Sequence, residues 1–228
     1  RKPLPISRAV KLVRQACDAL YAAHQLGIVH RDVKPDNLFV TTKSGADFVK
    51  VLDFGVAKLN DPDGKEQELV SKTLAGLVVG TPAYMAPEQI QGLDVGPACD
   101  IYAMGTVMYE MFSERRPFVA PGYLQLAMQI STELPAALPM TTAAGEPIPP
   151  GLAAVVMRCL AKAPGLRFNS MAELSAALAP FEKPDSQPVA PVPSGPSTFE
   201  AEAAVLAAAG VGKNTLAQPI GIGVGAAL

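Results

Sequence analysis

The chain has 228 residues, of which 49% are hydrophobic and 18% are charged, which is typical of one folded domain with room for a tail. Its formal net charge of −2 provides no basic footprint for nucleic acid, so no nucleic-acid partner is expected. Three scattered cysteines, Cys17, Cys99 and Cys159, form no metal-ligand spacing, which predicts free thiols in a reducing, cytoplasmic setting.

The first predicted element is an amphipathic helix over residues 5–26. Apolar side chains recur from Ile6 to Leu20 at spacings of three and four residues, and polar side chains take the opposite face. Ser7 is the predicted N-cap and Gly27 the predicted stop. We therefore expect one face of this helix to pack against the core.

A dense polar loop follows, with the sequence His30-Arg31-Asp32-Val33-Lys34-Pro35-Asp36-Asn37. It combines a candidate base, two cations and a side-chain amide. Two short apolar runs, 38–40 and 48–52, flank a polar turn at 41–45 and predict a hairpin. That hairpin would hold the loop at one end and Asp53-Phe54-Gly55 at the other, 21 residues after Asp32.

The second half of the chain is predicted to be helical after a long irregular stretch. Residues 56–79 are polar, and a structureless loop of this length is usually functional or mobile. Gly80-Thr81-Pro82-Ala83-Tyr84-Met85-Ala86-Pro87-Glu88 closes it. Helices are predicted at 100–112, 122–132, 152–162 and 171–178, with a loop at 134–150 and Ser170 capping the last helix. The methionines near Met104 are expected to fill the core.

The packed domain is expected to end near residue 182. Five prolines between residues 183 and 197 favour an extended linker, and the Ala- and Gly-rich tail to residue 228 is expected to be largely disordered. Residues 219–228 leave open the start of a membrane segment, so membrane anchoring of a longer parent stays an alternative. The start at Arg1 suggests a piece of something longer.

In chain order, the strings HRDVKPDN, DFG, GTPAYMAPE, DIYAMG, RPF and LAKAPGLRF resemble eukaryotic-type serine/threonine protein kinases, in the style of the bacterial, Hanks-type members. The resemblance covers residues 5 to about 181 and matches only the larger C-terminal lobe. It implies a mainly α (α+β) fold over residues 1–182: a helical bundle with a small β-hairpin carrying the catalytic loop. The glycine-rich loop and the strand lysine of the small lobe are not found, so the N-lobe is expected to be absent.

The resemblance also implies roles at the catalytic loop. Asp32 would take the proton of the substrate hydroxyl, and Lys34 would meet the γ-phosphate of ATP. Asn37 and Asp53 would hold two Mg²⁺ ions, or Mn²⁺ in their place. Thr81 with Lys34 matches the serine/threonine branch. The nucleotide-binding positions implied are Lys34, Asp36, Asn37, Phe39, Leu52 and Asp53.

Regulatory and architectural roles follow from the same resemblance. Arg31 beside Asp32 resembles kinases that are switched by phosphorylation of the loop, with Ser71 and Thr73 as candidates. Such phosphorylation would involve self-association; alternatively, both are ordinary loop hydroxyls. The architectural expectations are a buried ion pair of Glu88 with Arg167, hydrogen bonds from Asp100 to the catalytic-loop backbone, and packing of His30 with Phe54 next to Gly55.

The function implied is transfer of the γ-phosphate of ATP to Ser or Thr of protein substrates. Without a small lobe, the chain alone is expected to bind ATP weakly and to turn over negligibly. The alternative is a non-catalytic kinase-lobe docking or regulatory module that uses an exposed apolar cleft. A structural or linker protein is favoured only by residues 183–228.

Overall fold

The computed structural model describes residues 4–54 and 82–182. Helix α1 spans Ile6–Gln25, and strands β1 and β2 span Leu38–Lys43 and Ala46–Val51. The later helices are α2 (Pro87–Ile90), α3 (Ala98–Ser113), α4 (Tyr123–Thr132), α5 (Pro150–Cys159) and α6 (Met171–Leu178). Single 3₁₀ turns lie at Pro35–Asn37, Pro82–Tyr84, Pro164–Leu166 and Ala179–Phe181. Outside the described residues lie Gly55, Ser71, Thr73, Thr81 and the predicted linker and tail.

Helix α3 is the centre of the core. Every residue from Cys99 to Tyr109 is buried, a pattern typical of a helix that is covered on all sides. Helices α1 and α5 pack against it, and α1 also contacts α6 and β2. Met104 and Met108 are fully buried in this helix, as expected for methionines that fill a core.

The two ends of α1 are closed in different ways. The prediction that Ser7 is the N-cap is wrong, because the helix begins at Ile6, which makes Pro5 the N-cap position and places Ser7 inside the first turn. The Ile6 N–H donates instead to Glu146 Oε2 at 2.9 Å, so a carboxylate distant in sequence closes the first turn. At the other end the predicted stop is confirmed: Gly27 has φ +74° and its N–H donates to the His24 carbonyl.

The predicted hairpin is confirmed. Strands β1 and β2 pair antiparallel from Leu38 opposite Val51 to Lys43 opposite Ala46. The connecting residues Ser44 and Gly45 have φ of +52° and +81°, as a two-residue type I′ turn requires. Both strands therefore reach closer to the turn than predicted: β1 continues to Lys43 and not only to residue 40, and β2 begins at Ala46 and not at residue 48.

The predicted helices are present, and their ends differ by up to three residues. The largest error concerns α5, predicted to reach residue 162 but ending at Cys159. Beyond this end, the carbonyls of Ala161 and Lys162 accept hydrogen bonds from the Arg167 side chain. Ser170 caps α6 as predicted, with its hydroxyl accepting from the Glu173 N–H. Across residues 4–54 and 82–182, no helix combines the length and apolarity that a membrane crossing demands.

Candidate active site

The loop between α1 and β1 brings three predicted site residues together at Asp32. The Lys34 ammonium lies 2.8 Å from Asp32 Oδ2. The Asn37 amide donates to the Asp32 carbonyl at 2.8 Å and to Asp32 Oδ2 at 3.2 Å. The Asp32 side chain keeps 38% of its surface exposed, so a carboxylate with a cation and an amide at its side faces solvent.

Asn37 has an orientation that leaves an oxygen available. Its Nδ2 must face Asp32, because the Asp32 carbonyl can only accept, so Oδ1 points away from that bond. The Asp53 side chain is exposed. Within residues 4–54 and 82–182, neither Asn37 Oδ1 nor the Asp53 carboxylate receives a hydrogen bond. Free amide and carboxylate oxygens are the ligands that Mg²⁺ prefers, so this donor set fits the predicted metal.

Leu52, directly after β2, is joined to the loop by both of its backbone polar groups. Its N–H donates to the Asn37 carbonyl at 2.9 Å, and its carbonyl accepts from His30 Nε2 at 2.9 Å. Asp53 follows directly, with φ +52°, a conformation that costs on the order of 1–3 kcal/mol in a non-glycine residue. Because Leu52 is bonded to His30 and Asn37, the hairpin places Asp53 beside the two residues that hydrogen-bond to Asp32.

His30 is fully buried and has a defined tautomer. Its Nδ1 accepts the Asp32 N–H at 3.3 Å, which leaves Nε2 to carry the proton that it donates to Leu52. The Phe54 ring packs against it, with centroids 4.9 Å apart and planes tilted by 46°. The predicted contact of His30 with Phe54 is therefore present.

Asp100, fully buried at the start of α3, holds the backbone that precedes Asp32. Its Oδ2 accepts the His30 N–H at 2.9 Å, and its Oδ1 accepts the Arg31 N–H at 2.8 Å. These are the backbone contacts that the sequence predicts. The sequence did not predict the third partner, His24 on α1, whose Nε2 lies 2.7 Å from Asp100 Oδ2.

Arg31 has a constrained backbone and an incompletely paired side chain. Its φ is +64°, and its carbonyl accepts from Gln89 Nε2 at 2.8 Å. In the part of the chain that the structure describes, the buried Nε of Arg31 has no hydrogen-bond partner. A buried guanidinium nitrogen without an acceptor is costly, which makes this position receptive to an anion.

The predicted pair of Glu88 and Arg167 is present and fully buried. Two parallel bonds of 2.6 and 2.8 Å join the guanidinium to the carboxylate. The three remaining N–H groups donate to the carbonyls of Ala98, Ala161 and Lys162 at 2.8 to 2.9 Å. All five donors are thus used, and the pair fixes α2, which carries Glu88, to the helical core.

The remaining predicted positions differ in how well they join the site. Phe39 and Leu52 stay 56% and 40% exposed, with Phe39 on β1 and Leu52 directly after β2. Asp36 is exposed, and within residues 4–54 and 82–182 no hydrogen bond or ion pair joins its carboxylate to another site residue. Its negative charge reaches Tyr84, whose pKa is raised by burial and by a hydrogen bond to Glu110, with a smaller effect from Asp36.

Comparison with known proteins gives a consistent result. The protein kinase domain family matches residues 1–177. The chain is 43% identical over 177 residues to the serine/threonine-protein kinase Pkn1 of Myxococcus xanthus, covering 77% of the chain and 24% of that protein. It is 38% identical over 167 residues to PknA of Mycobacterium tuberculosis, covering 73% of the chain and 35% of that protein.

A solved structure shares the fold. The Mycobacterium tuberculosis PknI kinase domain aligns with a TM-score of 0.52 at 27% identity, over 78% of this chain and 57% of that one. The chain thus spans about a quarter to a third of the length of the curated relatives named above. Together with the family match over residues 1–177, these likenesses show that the chain belongs to the protein kinase family, among relatives that are bacterial serine/threonine protein kinases.

Proposed function

We propose that this chain carries the catalytic loop of a protein kinase that transfers the γ-phosphate of ATP to serine or threonine hydroxyls of protein substrates. The observation that carries the proposal is the group at Asp32, where an exposed carboxylate has an ammonium at 2.8 Å and an amide at 3.2 Å. Phosphoryl transfer depends on positioning and on neutralising charge, and this group supplies both.

Asp32 would act on the substrate hydroxyl. Its exposed carboxylate accepts a hydrogen bond from that hydroxyl, which orients the oxygen towards the γ-phosphorus. The new oxygen–phosphorus bond forms as the bond to the β-phosphate oxygen breaks, ADP leaves with that electron pair, and the hydroxyl proton passes to Asp32. The Lys34 ammonium lies beside the same carboxylate, so it would meet the negative charge on the transferred group.

Asn37 and Asp53 would hold Mg²⁺, with Mn²⁺ as a substitute, through the oxygens that the described residues leave unpaired. The metal neutralises charge on the phosphates when it is bound. Phe39 and Leu52 would supply the apolar surface for the adenine ring. Both stay exposed beside the catalytic loop, where the Leu52 N–H bonds to the Asn37 carbonyl, and this exposure supports the assignment.

We also propose that residues 1–182 form the larger lobe of the kinase domain, with 183–228 as a linker and tail. The 228 residues contain no glycine-rich loop ahead of the catalytic loop, and the alignment covers 57% of a kinase domain. The chain alone should therefore bind ATP weakly and turn over negligibly.

The free thiols Cys17, Cys99 and Cys159 support a reducing, cytoplasmic setting.

We further propose that one copy of the kinase phosphorylates Ser71 or Thr73 in a second copy, and that this phosphorylation regulates activity. The support is the Arg31 Nε, which is buried without an acceptor in the described residues and would pair with a phosphate oxygen. A transient pair of copies would be needed for that transfer.

The test is the variant Asp32→Asn in a protein that joins this chain to the glycine-rich loop and strand lysine of a relative such as Pkn1. The amide cannot accept the proton, so transfer of radiolabelled phosphate to a serine or threonine peptide should fall by about 10³-fold or more while the melting temperature stays within a few degrees. The matched control, Asp94→Asn, makes the same change at an exposed position and should retain activity. Equal activity of the two variants would contradict the proposal.

A further inference from the structure

The backbone on both sides of Asp32 is held almost entirely by side chains. Five of its polar groups are fixed in this way. They are the N–H groups of His30 and Arg31 on Asp100, the Asp32 N–H on His30 Nδ1, the Asp32 carbonyl on Asn37, and the Arg31 carbonyl on Gln89. Three of the four partner residues, Asp100, His30 and Asn37, lie within the loop or on α3, and Gln89 alone among them lies on α2.

Gln89 makes two hydrogen bonds with opposite ends of its amide. Nε2 donates to the Arg31 carbonyl at 2.8 Å, and Oε1 accepts the Ala86 N–H at 3.0 Å. Both partners fix the orientation of the amide, because the carbonyl can only accept and the N–H can only donate. Gln89 also follows Glu88, whose carboxylate is fixed by Arg167. The amide therefore bridges an anchored segment and the peptide unit that precedes Asp32.

We infer that Gln89 is a positioning residue, which sets the orientation of Asp32 by holding the Arg31 carbonyl. The inference rests on the proposed role of Asp32 in transfer. Among the described residues, the peptide between Arg31 and Asp32 has one other hydrogen bond, the longer one of 3.3 Å from the Asp32 N–H to His30 Nδ1. Without Gln89 the peptide would be held on one side only, and its rotation would move the Asp32 carboxylate away from Lys34 and Asn37. Small displacements of a reacting group are expensive in rate, so a bond at this peptide acts on the chemistry without touching the substrate.

Two substitutions separate this role from helix capping. Gln89→Glu retains an oxygen for the Ala86 N–H but places a second oxygen against the Arg31 carbonyl, which it repels. Gln89→Met has a similar length and loses both bonds. Capping alone would be affected only by the methionine, whereas positioning would be affected by both. Gln91→Glu is the matched control, because it makes the same change at an exposed position next to the same short helix.

The first measurements use NMR on the full 228-residue chain and do not depend on activity. Loss of the bond from Gln89 should move the Arg31 carbonyl carbon upfield. The Asp32 amide donates to His30, but it belongs to the same peptide unit, so the loosened peptide should speed its hydrogen exchange about tenfold, the factor for the free energy of one hydrogen bond. Both Gln89 variants should show these changes and Gln91→Glu should show neither.

The second measurement uses the protein completed with the small lobe of Pkn1. There, kcat should fall about tenfold in both Gln89 variants while KM for ATP stays within about twofold.

Three results would overturn the inference. The first is a change in Gln89→Met without one in Gln89→Glu, which would leave only a capping role. The second is wild-type behaviour of both variants, and the third is an equal change in Gln91→Glu. Absent transfer in the completed wild-type protein would instead contradict the proposed function and leave the NMR comparison intact, so the two failures are distinguishable.

Discussion

At the scale of single residues, Arg167 shows how completely this core satisfies its buried charges. The residue is 1% exposed, and each of the five N–H groups of its guanidinium has an acceptor. Taking two charges out of water is costly, and the paired arrangement offsets that cost only while both partners are present. The main effect of the pair is therefore to fix the position of α2, which carries Gln89. Its net contribution to the free energy of unfolding is small.

Arg167→Met should strand the Glu88 carboxylate and lower the free energy of unfolding by about 3–5 kcal/mol. The double variant Arg167→Met with Glu88→Leu should recover part of this loss, because no buried charge remains. Urea denaturation of the chain measures both, with the exposed Arg115→Met as a control that should stay within about 0.5 kcal/mol. A double variant no more stable than the single one would rule out the stranded charge as the cause.

Some contacts of the site were predictable from the sequence and others were not. Glu88 with Arg167 and Asp100 with the loop were predicted because they belong to recognisable strings in a known order. The bonds of Gln89 and His24 were not predicted, since each is one hydrogen bond between residues 58 and 76 positions apart. A contact of that kind leaves no periodicity or spacing in the chain, so only coordinates reveal it.

At the scale of elements, α3 and α5 pack closely at Gly105. A Cβ at this position would lie 2.5 Å from the Cys159 Cβ and 3.3 Å from Leu160 Cδ2. Glycine is thus needed here for close approach of the helices, with no requirement for an unusual backbone conformation.

Gly105→Ala should force α3 and α5 apart and lower the free energy of unfolding by about 1–3 kcal/mol. Gly96→Ala is the control, because a Cβ there meets nothing within 4 Å and should leave stability within about 0.5 kcal/mol. Thermal melting of the two variants compares them directly. Equal melting temperatures would contradict the close packing of the two helices.

Element boundaries were predictable where one residue carries the signal, as at Ser170, which starts α6 through its own hydroxyl. The hairpin was predicted but its turn was placed too widely at 41–45, because polar residues of β1 precede the two residues with positive φ, Ser44 and Gly45, that form the turn. The end of α5 was placed three residues too late, because the apolar pattern continues past Cys159 to Leu160. The closure of the first turn of α1 was missed because it depends on Glu146, a partner 140 residues away that no local pattern reveals.

At the scale of the whole molecule, the buried thiols make stability depend on alkaline pH. Burial raises the pKa of Cys17, Cys99 and Cys159 above the usual value. The unfolded chain therefore loses these protons first, and stability that is complete below about pH 8.5 falls as the pH rises. Lys162 acts oppositely, because burial lowers its pKa to about 8, but it contributes one proton against three.

We expect the free energy of unfolding to decrease above about pH 9, with each thiol contributing up to about 1.4 kcal/mol per pH unit. Cys17→Ala should make this slope shallower by the share of one thiol. Urea titrations at several pH values measure the slope in both proteins. An unchanged slope in the variant would show that Cys17 does not contribute to the decrease.

The most direct test of the central claim is paramagnetic NMR of the full chain with Mn²⁺ and ATP at millimolar concentration. If Asp32, Asn37 and Asp53 surround one metal–nucleotide site, their resonances should broaden first and together, whereas Asp94 should stay sharp. Asp53→Asn should require a higher Mn²⁺ concentration for the same broadening. Broadening centred on another part of the chain, with Asn37 and Asp53 unaffected, would contradict the account.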